Sequence, residues 1–193
     1  MMRSLWISKT GMEAQQTQLD AISHNLANVS TNGYKRSHAV FEDLMYQNLR
    51  QAGSASSDQT QLPTGLQLGL GTRAVANARN FSQGSLQQSS NSLDVAIRGN
   101  GFFQIQLPDG TTGYTRDGSF QTSATGQLVT NNGYTVQPGL AIPSNATNVM
   151  INATGPVQVT LSGQTAPTTV GSLQLAVFPN DAGLDAQGQN LLL

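Results

Sequence analysis

Apolar side chains recur every seven residues at Leu5, Met12, Leu19 and Leu26, and Ile22 and Val29 fall three residues after the last two of these. Ser8 and Gln15 hold the equivalent earlier positions, so the a/d stripe is weaker in its N-terminal half. Lys9, Glu13, Gln16, Asp20 and His24 supply polar positions between the apolar ones. The spacing predicts one helix over residues 4–29, about 39 Å long at 1.5 Å per residue. A stripe of two positions in seven is narrower than the face a globular helix turns to its own core. No second heptad run occurs in the 193 residues. The stripe is therefore expected to pack on a helix of another subunit, or on one outside this sequence. Burying its side chains would contribute on the order of 10 kcal/mol.

After Val29 the pattern breaks at Ser30-Thr31-Asn32-Gly33, a helix-stop cluster in which Gly33 can adopt a left-handed conformation. Residues 34–50 suit a short helix or an extended segment, and 51–65 read as a polar loop or linker. From Leu66 the apolar and polar positions alternate, and from Asp94 short strands are expected: DVAIRG, GFFQIQL, TTGYTR, SFQTS, QLVT and YTVQPG. Pro108-Asp109-Gly110, Asp117-Gly118, Gly126 and Asn132-Gly133 punctuate them as turns. Further strands are expected within 148–161 and 170–178. The predicted fold is mainly β with an N-terminal α-helix: a long heptad helix, an extended hinge, and an antiparallel β-sandwich or barrel-like domain. Its segments are the helix at 1–30, the hinge and extended loop at 31–71, and the β-rich domain at 72–193.

Composition sharpens this picture. Charged residues make up only 10% of the chain, which fits a surface covered by neighbours better than a solvated monomer. The net charge is -1 and the basic residues form no cluster beyond Lys35-Arg36, which argues against nucleic-acid binding. There is no cysteine, hence no disulfide framework and no thiolate metal site. No stretch reaches the roughly 20 apolar residues of a membrane helix, and the N-terminus lacks a signal-peptide apolar run.

Candidate chemistry is sparse. Asp20 and His24 share a helix face but find no third metal ligand by spacing, and read as a solvent-facing polar pair. Asp94, Asp109 and Asp117 could be imagined as a carboxylate pair for glycoside hydrolysis, but two of the three precede Gly and have a turn role. Gly69-Leu70-Gly71 and Gly99-Asn100-Gly101 lack the rest of a dinucleotide fingerprint. Trp6 reads as an anchor on the helix seam or a neighbouring subunit. No catalytic residue, metal ligand or cofactor site is expected.

Three blocks carry a family resemblance: SHNLANVSTNGYKR at 23–36, DVAIRGNGFFQI at 94–105 and YTRDGSFQTSATGQLVTNNGYTVQ at 114–137. In order and in content they resemble the flagellar basal-body rod and hook family. The opening SLWISKTGMEAQQ, the 46–71 stretch and FPNDAGL resemble its distal rod members most. The family signature falls on Asn25, Leu26, Ala27, Asn28, Thr31, Gly33, Tyr34 and Lys35. The β-domain motifs fall on Gly99, Gly101, Phe102, Phe103, Tyr114, Thr115, Arg116, Gly118 and Phe120.

The resemblance implies a non-enzymatic axial subunit, exported unfolded through the flagellar type III apparatus. It would polymerise helically into the distal rod, a drive shaft in the periplasm that carries motor torque to the hook. Its neighbours would be its own copies, proximal rod and hook proteins, and the surrounding ring bushing. The seam Leu5, Met12, Leu19, Ile22, Leu26 and Val29 would form the inner tube, and residues 46–71 would make axial contacts. Family members continue into a second heptad helix, whereas this sequence stops at QNLLL, so weak or absent rod assembly is expected from these residues alone. The alternatives are a proximal rod or hook subunit and, from a different class, a secreted β-rich saccharide-binding module.

Overall fold

The computed structural model describes residues 2–193 apart from Ser54, Asp58, Gln59, Leu62 and Thr165. The chain is mainly β with one N-terminal helix, and its strands pair antiparallel. It divides into two compact units: the residues up to Val29 with Arg36–Asn80, and Ser30–Lys35 with Phe81–Leu193.

The first unit begins with α1 (Met2–Ala27), in which no residue is fully buried. Six strands follow: β1 (Ser37–Asp43), β2 (Tyr46–Arg50), β3 (Ala55–Ser57), β4 (Thr60–Gln61), β5 (Leu66–Gly69) and β6 (Thr72–Arg79). They pair as nested rungs, with Ser37 opposite Arg79, Asp43 opposite Thr72, Tyr46 opposite Gly69 and Ser57 opposite Thr60. Among the described residues of 37–79 the pairing is that of one long hairpin, and the Leu44 amide, donating to the Gly71 carbonyl at 2.8 Å, continues the ladder between β1/β6 and β2/β5. A register shift at Val40/Phe41 marks a bulge in β1. The segment 34–50, which the sequence leaves between helix and extended, is extended. The loop reading of 51–65 gives way, among its described residues, to the short β3/β4 pair. Because β6 pairs with β1, residues 72–79 belong with the helix unit, and the boundary falls after Asn80 where the sequence pattern places it at 72.

The second unit holds β7 (Phe102–Gln106), β8 (Thr112–Thr115), β9 (Phe120–Thr122), β10 (Leu128–Thr130) and β11 (Thr135–Val136). Then come β12 (Ala146–Ile151), β13 (Pro156–Leu161), β14 (Thr168–Ser172), β15 (Leu175–Ala176), β16 (Ala186–Gly188) and β17 (Leu191–Leu192). The larger sheet is ordered β16-β17-β8-β7-β11-β10-β9 with β15 also on β7, and β12-β13-β14 form a smaller one. Alternation decides the core, since successive strand residues face opposite ways. Phe103 and Ile105 of β7 join Phe120, Leu128, Val136, Leu140, Val157 and Val159 in one buried cluster. Their neighbour Phe102 is equally buried but takes no part in it.

The expected strand DVAIRG does not form. Only Asp94 makes an isolated bridge, to Ser119, and 95–98 run without ladder partners because the Val95 amide is taken by the Gly118 carbonyl at 3.0 Å. Pro108-Asp109-Gly110 does turn β7 into β8, with the Asp109 carboxylate accepting from the Thr111 amide at 3.0 Å and its hydroxyl at 2.7 Å.

Candidate functional site

The helix of the first unit has two faces with different environments. Ile7, Thr10, Gly11, Ala14, Ala21, Asn25 and Asn28 are half-buried, and this mostly small face lies toward β1 and β6. The approach is close: a Cβ added at Gly71, whose φ is +122°, would overlap the Thr10 hydroxyl. Leu5, Met12, Leu19 and Leu26 are each displaced by two residues from Ile7, Ala14, Ala21 and Asn28, about 200° around a helix at 3.6 residues per turn, whereas Ile22 and Val29 lie nearer the small face. The seam members Leu5, Met12, Leu19, Ile22, Leu26 and Val29 are each between 52% and 75% exposed. Trp6 is exposed as well, with the Lys9 ammonium 5.0 Å from its ring centroid.

Asn25 anchors the small face. Its Nδ2 donates to the Ser37 carbonyl at 2.7 Å and its Oδ1 accepts from the Ser37 amide at 2.9 Å. The carboxamide therefore satisfies both backbone groups of the first residue of β1, as a neighbouring strand would. Three residues on, Asn28 Nδ2 donates to the His24 carbonyl at 2.9 Å and satisfies one terminal carbonyl of the helix. Leu26 and Ala27, between them, are exposed. Replacing Asn25 by Ala is expected to lower the stability of the first unit by about 1–3 kcal/mol, since buried backbone groups lose their partner. Chemical denaturation followed by fluorescence of Trp6, the chain's single Trp, would read this; an unchanged midpoint would refute it.

The rest of the signature belongs to the second unit. Gly33 has φ +72°, and a Cβ there would stand 2.7 Å from the Asp117 nitrogen, so both conformation and space demand glycine. Beside it, the Asn190 side chain donates to the Asn32 carbonyl at 2.9 Å, and the Asn190 carbonyl accepts from the Thr115 hydroxyl at 2.8 Å. That hydroxyl also accepts from the Asp117 amide at 3.1 Å. The Tyr34 amide donates to the Thr31 carbonyl at 3.3 Å, closing the turn. Lys35 Nζ donates to the carbonyls of Phe81 at 3.3 Å and Ser82 at 2.8 Å.

Below this loop lies the other face of β7. Phe102 meets Phe81 and Phe178 with ring centroids 5.8 Å apart in each case, and Phe178 meets Tyr114 edge-on at 4.7 Å. The Arg116 guanidinium sits 5.2 Å from the Phe102 ring centroid, and its Nε and Nη2 are buried with no hydrogen-bond partner. The ring face offsets part of that cost. Burial lowers the pKa of Lys35, with the Arg116 charge adding to the effect and Asp181 opposing it. Burial likewise lowers that of Arg116, again against Asp181.

Residues from the signature, from GFFQI, from YTRDGS and from FPNDAGL thus converge on one cluster, although they are far apart in sequence. Phe103 and Phe120 lie instead in the main core, edge to face at 5.0 Å. Gly99 and Gly101 carry φ of +97° and +131° just before β7. Gly118 holds no unusual φ, but a Cβ on it would overlap the Val95 carbonyl oxygen. Sequence reasoning passed over Ser37, Phe81 and Asn190. Only Phe178 had a signal, as the first residue of FPNDAGL.

Asp94, Asp109 and Asp117 are turn and loop residues. Asp117 accepts from the Ser119 amide at 3.1 Å and hydroxyl at 2.6 Å, and Asp94 from Ser89 at 2.6 Å and Asn91 at 2.9 Å. The Thr111 hydroxyl holds the Asp109 carboxyl below its ordinary pKa. Among the described residues no three of His, Asp and Glu gather as metal ligands, and no helix is long and apolar enough to cross a membrane.

Comparison with known proteins matches both ends of this arrangement. A family model described as "Flagella basal body rod protein" fits residues 5–35, and one described as "Flagellar hook protein FlgE/F/G D1 domain" fits residues 96–159. The flagellar basal-body rod protein FlgG of Buchnera aphidicola subsp. Schizaphis graminum is 58% identical over 99% of the chain and 74% of its own length. The FlgG of Caulobacter vibrioides is 49% identical over 100% of the chain and 74% of its own length. The flagellar hook protein FlgE of Helicobacter mustelae is 44% identical, but over 71% of the chain and 30% of its own length.

Proposed function

The chain belongs to the FlgG family of flagellar basal-body rod proteins, and we propose that it builds the distal part of the rod by packing its exposed helical seam against other subunits. It is a structural subunit of the flagellar basal body; the hook reading is not favoured, because the hook relative shares under a third of its length with this chain. The observation that carries the proposal is the seam itself. Apolar side chains at heptad spacing stand in water on α1, while its small face is used within the chain. Leaving such a stripe unpaired forfeits most of its transfer energy, so a partner helix is its natural complement.

Head-to-tail contacts that do not close generate a helical polymer, and a surface with few charges tolerates neighbours on many sides. In this reading the nested hairpin of residues 37–79 makes contacts along the rod axis, within which 46–71 is the rod-specific stretch. The second unit forms the outer layer, turning inside the ring bushing. Proximal rod proteins lie below, the hook above, and torque passes through the stack. Subunits reach this position through the flagellar type III apparatus.

Cells deprived of the protein are expected to retain the proximal rod and to lack the hook, and a tagged copy should decorate the rod segment next to the hook in isolated basal bodies. Label found along the hook instead would contradict the assignment.

A further inference from the structure

The chain passes between its two units at residues 29/30, 35/36 and 80/81; Lys35 stands at the second passage and bonds to the residues just after the third. On the first unit's side, the last rung of the ladder is the Asn80 amide donating to the Arg36 carbonyl at 2.9 Å. Immediately beyond, Lys35 Nζ donates to the carbonyls of Phe81 and Ser82, in the segment that returns to the second unit. The backbone pairing is thus replaced by a side chain at the point where the ladder ends. The connector carrying Lys35 is itself fixed by Gly33 against the Arg116–Asp117 peptide and by Asn190 on the Asn32 carbonyl. Phe81, in turn, packs its ring on Phe102.

We propose that Lys35 is a staple, fastening the outgoing and returning passages to one another on the second unit so that neither is a slack linker. The staple lies wholly within the second unit and does not rest on the rod reading. Ammonium-to-carbonyl bonds are charge-assisted and stronger than neutral ones, and here they are partly withdrawn from water. The proximity of Arg116 makes the position electrostatically costly, which a merely solvated lysine would avoid by swinging outward.

The chain holds only two lysines, Lys9 and Lys35, so acylation of the purified protein is a clean test. A free, partly buried amine with a lowered pKa would acetylate faster than the exposed Lys9, because more of it is unprotonated. A stapled one acetylates more slowly. With N-hydroxysuccinimidyl acetate and peptide mass spectrometry, Lys35 is expected to react at least about tenfold more slowly than Lys9 in the folded protein, two charged hydrogen bonds having to open first. In guanidinium the two rates should converge. Equal or faster reaction at Lys35 in the folded protein overturns the proposal. In a second measurement, Lys35→Met should raise amide exchange at 31–36 and 80–84 by about tenfold or more while the amides of Ile105 and Val136 stay protected. Unchanged exchange in those segments would overturn it too. Should this variant unfold the second unit, the acylation arm still decides, and neither readout depends on where the protein assembles.

Discussion

Gly118→Ala is expected to cost the second unit about 3 kcal/mol, the upper part of the range for forced overpacking. The added methyl would fall on the Val95 carbonyl oxygen, 2.8 Å from the carbonyl carbon and 3.3 Å from a Phe103 ring carbon. Relief requires backbone movement, because Val95 is held there by its amide donating a hydrogen bond to the Gly118 carbonyl at 3.0 Å. That movement would pull Asp94 off its bridge to Ser119 and shift Phe103, which sits in the core against Phe120. In a chain of this size each kcal/mol shifts the melting midpoint by roughly 2–4 °C, so a fall of roughly 6–12 °C is expected by calorimetry. Gly110→Asn is the matched control. Gly110 has φ +83°, but nothing lies within 4 Å of its Cβ position, and Asn tolerates the left-handed region. It should lose less than about 1 kcal/mol. A Gly118→Ala midpoint as high as that of Gly110→Asn would show that the Val95 loop yields freely.

These two glycines show what the sequence could reveal and what it could not. Gly110 follows Pro-Asp in a recognisable turn, so its role is local and legible. Gly118 follows Asp in the same way, yet its constraint comes from Val95, more than twenty positions upstream. The same division runs through the fold. Helix α1 was legible because heptad spacing is a local signal. The nested ladder was not, because Ser37 meets Arg79 across a register that no local pattern encodes. DVAIRG looked like a strand on composition, but strands need partners, and its Val95 amide is spent on a single bond to Gly118.

The site was half legible for a related reason. Gly33, Lys35, Phe102 and Arg116 stood out as motif residues, but their convergence is a tertiary fact, and Asn190 has no local mark at all. Even on α1 the small residues two positions along from the apolar seam carry no hydrophobic signal. Ala14 and Ala21 let a strand pair approach, whereas Leu there would hold it off. Absence of bulk was the signal, and hydrophobic periodicity does not register it.

That two-faced helix yields the sharpest functional expectation. Leu19→Glu places a charge at the middle of the seam, at a position 62% exposed in the isolated chain. Substitutions at such positions ordinarily change a monomer's stability by within about 0.5 kcal/mol, so its melting curve should be nearly unchanged. In an assembled rod the same carboxylate would be withdrawn from water with no cation opposite it, at a cost of several kcal/mol per subunit. Every subunit of a helical polymer repeats that loss, so cells carrying the variant are expected to lack distal rods in electron micrographs and to stop swimming. Leu19→Met, which conserves volume and apolarity, should assemble and swim. Asn25→Ala gives the complementary pattern, since it breaks the clamp on Ser37 inside the chain and lowers monomer stability while leaving the seam intact. The pair therefore separates a helix face that serves the fold from one that serves assembly. Leu19→Glu cells that build complete hooks and swim normally would remove the seam from the assembly interface, and with it the physical basis of the packing proposed for α1.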